Sequence, residues 1–169
     1  MMTVVETERL LLQQAHHNDR PFFFKLLNSP DWIAYIGDRG VHSLEDAGDY
    51  IQNALIQSYT DNGFGLYKIV LKANDQPIGI CGLLKRSKLA NPDIGFALLP
   101  EYQGNGYAFE AAQATLMYAR SKLGLDTIFA ITKANNTKSK RLLEKIGLKQ
   151  IDPIMLGKEE LLCYSNEKI

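Results

Sequence analysis

The stretch from Asp93 to Arg120, DIGFALLPEYQGNGYAFEAAQATLMYAR, constrains the fold of this chain more than any other. It reads as an apolar strand, a tight loop carrying Gly104 and Gly106, and a long helix that starts at Tyr107. The segment Ile94 to Leu99 has no polar side chain, so a ligand meeting it must meet backbone N–H and C=O groups. The two glycines admit positive φ and carry no Cβ, which lets successive N–H groups converge as the helix begins. The opening helical turn adds orphan N–H groups and the positive end of the macrodipole, an anion site that needs no cationic side chain. A diphosphate is the expected guest. The G-x-G-x-x-G fingerprint of the doubly wound folds fits worse: its third glycine falls on Phe109, and more than half of the chain precedes the unit.

The 169 residues suffice for a single domain, 1–169, that buries most of its unfolded surface without metals or disulfides. Lys+Arg and Asp+Glu are both 19, so no net field steers the molecule onto nucleic acid. Apolar runs are too short for a membrane-spanning helix. The first six residues include an acid and show no basic-then-apolar signal pattern, which argues against secretion. Cys81 and Cys163 lie far apart, outside any C-x-x-C or Cys/His spacing, and a reduced cytoplasmic setting is expected.

Along the chain, Thr7 to Gln14 reads as a first strand, followed by a helix capped at Asn18 or Asp19 and running to Leu27. Asp31 to Gly37 is a short helical turn. Ser43 and Asp46 form a capping pattern, and Ala47, Tyr50, Ile51, Ala54, Leu55 and Ser58 mark the buried stripe of a helix ending at Asn62-Gly63. Leu66 to Lys72 and Pro77 to Leu84, separated by Asn74-Asp75-Gln76, predict an antiparallel hairpin. After the central unit, whose helix ends at Gly124, Thr127 to Thr132 reads as a buried strand. Asn136 caps a short helix closed by Gly147, and Leu148 to Ile154 and Glu160 to Ser165 read as final strands.

Gln103-Gly104-Asn105-Gly106-Tyr107-Ala108 resembles the Q/R-x-x-G-x-G/A signature of the GCN5-related N-acetyltransferases, with that family's acidic position following at Glu110. Two further stretches resemble the branch that acetylates ribosomal-protein N-termini: Thr7-Glu8-Arg9-Leu10-Leu11-Leu12, and Asn136-Thr137-Lys138-Ser139 leading to Leu143-Glu144-Lys145-Ile146-Gly147-Leu148. The resemblance spans nearly the whole chain. It implies acetyl-CoA as co-substrate, no metal, and a pantetheine arm that pairs like an extra strand with the backbone around Phe96, Ala97 and Leu98. By the same resemblance, Asn136 contacts that arm and a hydroxyl at Ser139 is placed to protonate the departing thiolate. Many relatives use a tyrosine there, and this chain has none between Asn136 and Leu148. Lys138, Lys140 or Arg141 is expected near the nucleotide 3′-phosphate.

Elements and resemblance together predict one α/β domain, a mixed and largely antiparallel sheet of six or seven strands with helices on both faces. The central strand and the strand after it should splay apart to admit the cofactor arm. Asp93 sits roughly 10 Å from Phe96 along the strand at ~3.3 Å per residue, out of direct reach of an amine, and capping the strand is its expected role. Glu110 is adequately explained by the helix dipole. With no evident base, the acceptor's own acidity matters: a lysine amine is only ~0.04% neutral at pH 7, an α-amine roughly 10 to 20%. That favours a protein or peptide N-terminus as acceptor, with small amines (antibiotic, polyamine, amino acid) or a non-catalytic acyl-CoA sensor as alternatives. His16, His17 and His42 are expected at the surface, while Trp32, Tyr35, Ile36, Phe64 and Tyr67 either wall an acceptor pocket or fill the core. Oligomeric state is open, a homodimer included.

Overall fold

A computed structural model describes residues 2–167. Its frame is an eight-stranded sheet in the order β1-β2-β3-β4-β5-β6-β8-β7. The strands are β1 (Thr3–Glu6), β2 (Leu10–Gln13), β3 (Leu66–Leu71), β4 (Pro77–Leu84), β5 (Asp93–Leu98), β6 (Phe129–Thr132), β7 (Lys149–Leu156) and β8 (Glu159–Ser165). Every neighbouring pair is antiparallel except β5 and β6, which run parallel.

The sheet exceeds the expected six or seven strands because the N-terminal segment folds back on itself. Thr7 to Arg9, expected inside a strand, instead form a turn. There the Thr7 N–H donates to the Leu10 carbonyl at 2.9 Å and the Leu10 N–H to Thr7 Oγ1 at 3.0 Å. Val4 and Val5 thereby reach the core as the outermost strand. At the other end β7 runs two residues past its expected stop at Ile154, and β6 is two residues shorter than expected, alternating in burial rather than fully buried.

Helices cover both faces. On one lie α1 (Arg20–Leu27), α2 (Pro30–Tyr35) and α3, a rod of Leu44–Tyr50, Ile51–Ile56 and Gln57–Asn62. Its middle segment is π-helical rather than regular, while Ile51 and Leu55 remain buried and Ala54 turns outward, off the expected stripe. The helix starts where Ser43 Oγ accepts from the Asp46 N–H at 3.0 Å and stops at Gly63, φ 77°. Asp19 is the N-cap of α1, one of the two residues expected there, but its side chain makes no cap bond to that helix and instead closes a capping box with His16 on the preceding 3-10 turn. Phe23, Leu26, Trp32, Ile51 and Leu55 pack with Leu66 and Ile80 on this face.

The long helix α4 (Tyr107–Lys122) covers the other face. Ala111, Ala112 and Ala119 are each 0% exposed, so small side chains bring the helix close against the strands. Thr115 is buried among them, its hydroxyl donating to the Ala111 carbonyl at 2.8 Å. A short helix, α5 (Thr137–Lys145), precedes β7. Among the described residues no helix is long and apolar enough to cross a membrane.

The placement of the site depends on β5. Its N-terminal residue Asp93 faces Phe129 of β6, and that is the whole of the pairing between the two strands. Beyond it they part, as the sequence reading expected. The other edge of β5 is fully laddered to β4, from Leu84↔Asp93 to Gly79↔Leu98.

Candidate functional site

Where β5 and β6 part, a cleft of about 1060 Å³ opens. One wall is the exposed edge of β5. The Leu99 N–H donates to the Ile78 carbonyl at 2.8 Å, which fixes the alternation of the ladder. Ala97 therefore turns its backbone toward Ile80, while the N–H and C=O of Phe96 and Leu98 face the cleft. The Leu98 carbonyl correspondingly receives Gln103 Nε2 at 3.4 Å from the cleft side. Phe96, Ala97 and Leu98 all line the cleft, but the alternation offers the backbones of Phe96 and Leu98 to a ligand, not that of Ala97.

The glycine loop closes one end. Gly104 and Gly106 adopt φ 82° and 80°, conformations that an L side chain rarely takes, and Gly106 is the N-cap of α4. The first helical bond runs from the Glu110 N–H to the Gly106 carbonyl at 3.0 Å, so the amides of Tyr107, Ala108 and Phe109 precede the ladder and have no partner within it. Gln103, Gly104, Gly106, Tyr107, Ala108 and Phe109 line the cleft; Asn105, expected among the binding residues, does not and is exposed.

This loop is also tied from outside, which the sequence did not signal. Arg9 donates from Nη1 to the Asn105 carbonyl at 3.1 Å, lies over the Tyr107 ring at 4.5 Å, and pairs with Glu110. Glu110 therefore does more than complement a dipole, and a cationic side chain does stand beside the glycine loop. Burial pushes the Glu110 carboxyl up, but hydrogen bonds from Thr7 and Arg9 overcome it and hold the group below its ordinary range.

Opposite β5, Asn136 caps α5 by accepting the Ser139 N–H at 3.2 Å. Asn136 and Ser139 are both half-buried and line the cleft with Lys138, Arg141 and Lys145. Lys138 Nζ contacts Gln103 Oε1 at 3.3 Å, linking α5 to the glycine loop. Lys140, by contrast, donates to the Ala134 carbonyl and lies outside the cleft wall. Lys145 sits 4.3 Å over the Phe109 ring, a third cation on this wall after Lys138 and Arg141, and one that the charge run alone did not single out.

The far end of the cleft is walled by α2, α3 and the loops after α2 and β4. Tyr35 and Ile36 line it, Trp32 both lines it and packs in the core, and Phe64 and Tyr67 belong to the core, so the group divides between the two readings. Asp93, 1% exposed, sits at the fork of β5 and β6 and receives Arg86 Nε on both carboxylate oxygens at 3.1 and 3.2 Å. Burial raises its carboxyl to about 6, with Arg86 pulling the other way. The sequence reading missed Arg86, which lies in an irregular loop without periodicity. The other acid in the wall, Asp31, accepts Gln103 Nε2 at 2.9 Å.

These parts suit a long thioester coenzyme: orphan amides for a diphosphate, Lys138 and Arg141 beside them, and an unpaired strand edge for an amide-bearing arm. Residues 9–149 match the acetyltransferase (GNAT) domain family. An uncharacterised N-acetyltransferase of Bacillus subtilis, YoaA, is 31% identical over 152 residues, 89% of this chain and 85% of that protein. An acetyltransferase from Agrobacterium tumefaciens superposes with a TM-score of 0.83 at 27% identity, covering 99% of this chain and 95% of the other. RimL, a ribosomal L7/L12 α-N-protein acetyltransferase solved with coenzyme A, shares the fold with a TM-score of 0.78 at 16% identity over 97% of each chain.

Proposed function

The chain belongs to the GNAT acetyltransferase family and is an acetyl-CoA-dependent N-acetyltransferase, and on that premise we propose that its acceptor is the α-amine of a protein or peptide N-terminus. The observation that carries this reading is the state of the acids in the cleft. Among the described residues only Asp31 and Asp93 supply carboxylates to its wall, and both are engaged, by Gln103 and by Arg86. A proton relay ending on Asp93, near 6, would draw a proton uphill by about 2 units from an α-ammonium and by more than 4 from a lysine ammonium. The weaker the available base, the more the reaction depends on an amine already partly neutral at pH 7.

The coenzyme supplies the acetyl group as an activated thioester. The chain's own residues do the rest: the amides of Tyr107, Ala108 and Phe109 with Gln103, Gly104 and Gly106 hold the diphosphate, and Lys138 and Arg141 meet the remaining phosphate. The backbones of Phe96 and Leu98, with Asn136, orient the arm. The Leu98 N–H, on the open edge, is positioned to stabilise the oxyanion, and Ser139 to hand a proton to the leaving sulfur. Localisation in the cytoplasm fits the reduced, buried Cys81 and Cys163.

The reading is tested by thiol release from acetyl-CoA with two peptides, one with a free α-amine and no lysine, the other N-terminally blocked with one lysine. The first should turn over at least tenfold faster. Faster turnover of the blocked peptide would remove the N-terminal assignment and leave the family intact.

A further inference from the structure

Two guanidinium groups stand at the acceptor end of the cleft. Arg39, in the loop between α2 and α3, and Arg86, in the loop after β4, both line it. Arg86 commits only its Nε to Asp93, leaving its two terminal nitrogens without a hydrogen-bond partner among the described residues. Arg39 is exposed and has no carboxylate or carbonyl partner among them. Tyr50 of α3 lines the same end; burial pushes its phenol up to about 12, with Arg39 and Arg86 pulling the other way. The two acids of the wall are engaged elsewhere, Asp31 by Gln103 and Asp93 by Arg86 Nε, so neither occupies Arg39 or the terminal nitrogens of Arg86.

An amine that must arrive neutral gains nothing from two guanidinium groups, and a polycation such as a polyamine is repelled by them. A carboxylate is what a pair of guanidinium forks and a phenol recognise. We propose that Arg39 and the free nitrogens of Arg86 bind a carboxylate of the acceptor, carried by an acidic residue at the second or third position behind the reacting α-amine. Tyr50 donates its hydroxyl to the same group. This rests on the N-terminal α-amine reading above and narrows it to acidic N-termini. A free amino acid offers the same chemistry through its own carboxylate.

The test is steady-state thiol release with hexapeptides starting in Ala and identical except for Asp, Asn or Lys at the second or third position, alongside free aspartate and glutamate. The Asp peptide should exceed the Asn peptide in kcat/KM by at least tenfold at one of the two positions, with Lys lowest. Arg39→Glu should reverse the order of Asp and Lys, a result that misfolding cannot produce. Turnover of the free acids but of no peptide would keep the carboxylate site while overturning the peptide acceptor. Equal kcat/KM for Asp and Asn peptides at both positions would overturn this inference and leave the α-amine reading standing. Thiol release with no member of the panel would overturn both.

Discussion

Arg9 Nε donates to Glu110 Oε1 at 2.7 Å, joining residues 101 positions apart and tying the turn after β1 to the helix that carries the glycine loop. Glu110 Oε2 also accepts the Thr7 hydroxyl at 2.5 Å and the Arg9 N–H at 3.0 Å. Through Arg9 and the Asn105 carbonyl, the loop itself is held. Glu110→Ala should cost about 1.5–3 kcal/mol of stability, the range for hydrogen bonds to a charged group. It should also weaken coenzyme A binding severalfold. Thermal unfolding with and without coenzyme A separates the two effects. Because the Glu110 carboxyl is held below its ordinary 4.5, its contribution is present above that pH and is lost as pH falls through the depressed folded value.

Gly106→Asp should abolish coenzyme binding. The position has φ 80°, where a side chain is strained by about 1–2 kcal/mol, and a carboxylate there would repel a diphosphate. Calorimetric titration with coenzyme A should show no heat of binding, while the far-ultraviolet circular dichroism stays native. An unchanged affinity would exclude the glycine loop as the phosphate site.

Asp93 should make the protein more stable on mild acidification. Its carboxyl is raised from 3.8 to about 6, so between those values the folded state binds the proton more tightly than the unfolded one. This contribution is fully present below 3.8, declines as pH rises to about 6, and is absent above it. The size is about 3 kcal/mol at most, at 1.36 kcal/mol per unit. Denaturant unfolding across this range should show the slope in the native protein and lose it in Asp93→Asn.

Ser139→Ala should lower kcat by roughly tenfold to a hundredfold with little change in coenzyme affinity. General acid catalysis contributes about a hundredfold or more, and a thiolate of pKa near 8.5 needs less assistance than an alkoxide, which points to the low end. Asn136→Ala should act differently, removing the cap of α5 at a cost of about 1 kcal/mol. Single-turnover rates alongside unfolding curves distinguish the two.

The parts of the fold legible in the sequence are those whose information is local. The hairpin of β3 and β4 follows from two apolar runs with a turn between them, and α4 from a spacing of alanines on one face. The glycine loop follows from two residues that need no partner to declare their conformation. The splay of β5 and β6 was legible through the family resemblance. Less visible were β1, four residues long and recognisable only by what it pairs with, and the π-helical middle of α3, which leaves Ile51 and Leu55 where a regular helix would also bury them.

By itself, then, the order of residues determined the strand, the loop and the helix that frame the cleft, because backbone conformation and one-sided burial are written at periods of a few residues. Tertiary structure alone decided which charges meet. Arg9 reaches Glu110 because β2 lies beside β3 and α4 crosses the same face. Arg39, Arg86 and Tyr50 share one end of the cleft because two loops and α3 are packed there. An ion pair or a charged pocket depends on distances across the folded sheet, and those are set by strand order and packing rather than by any spacing along the chain.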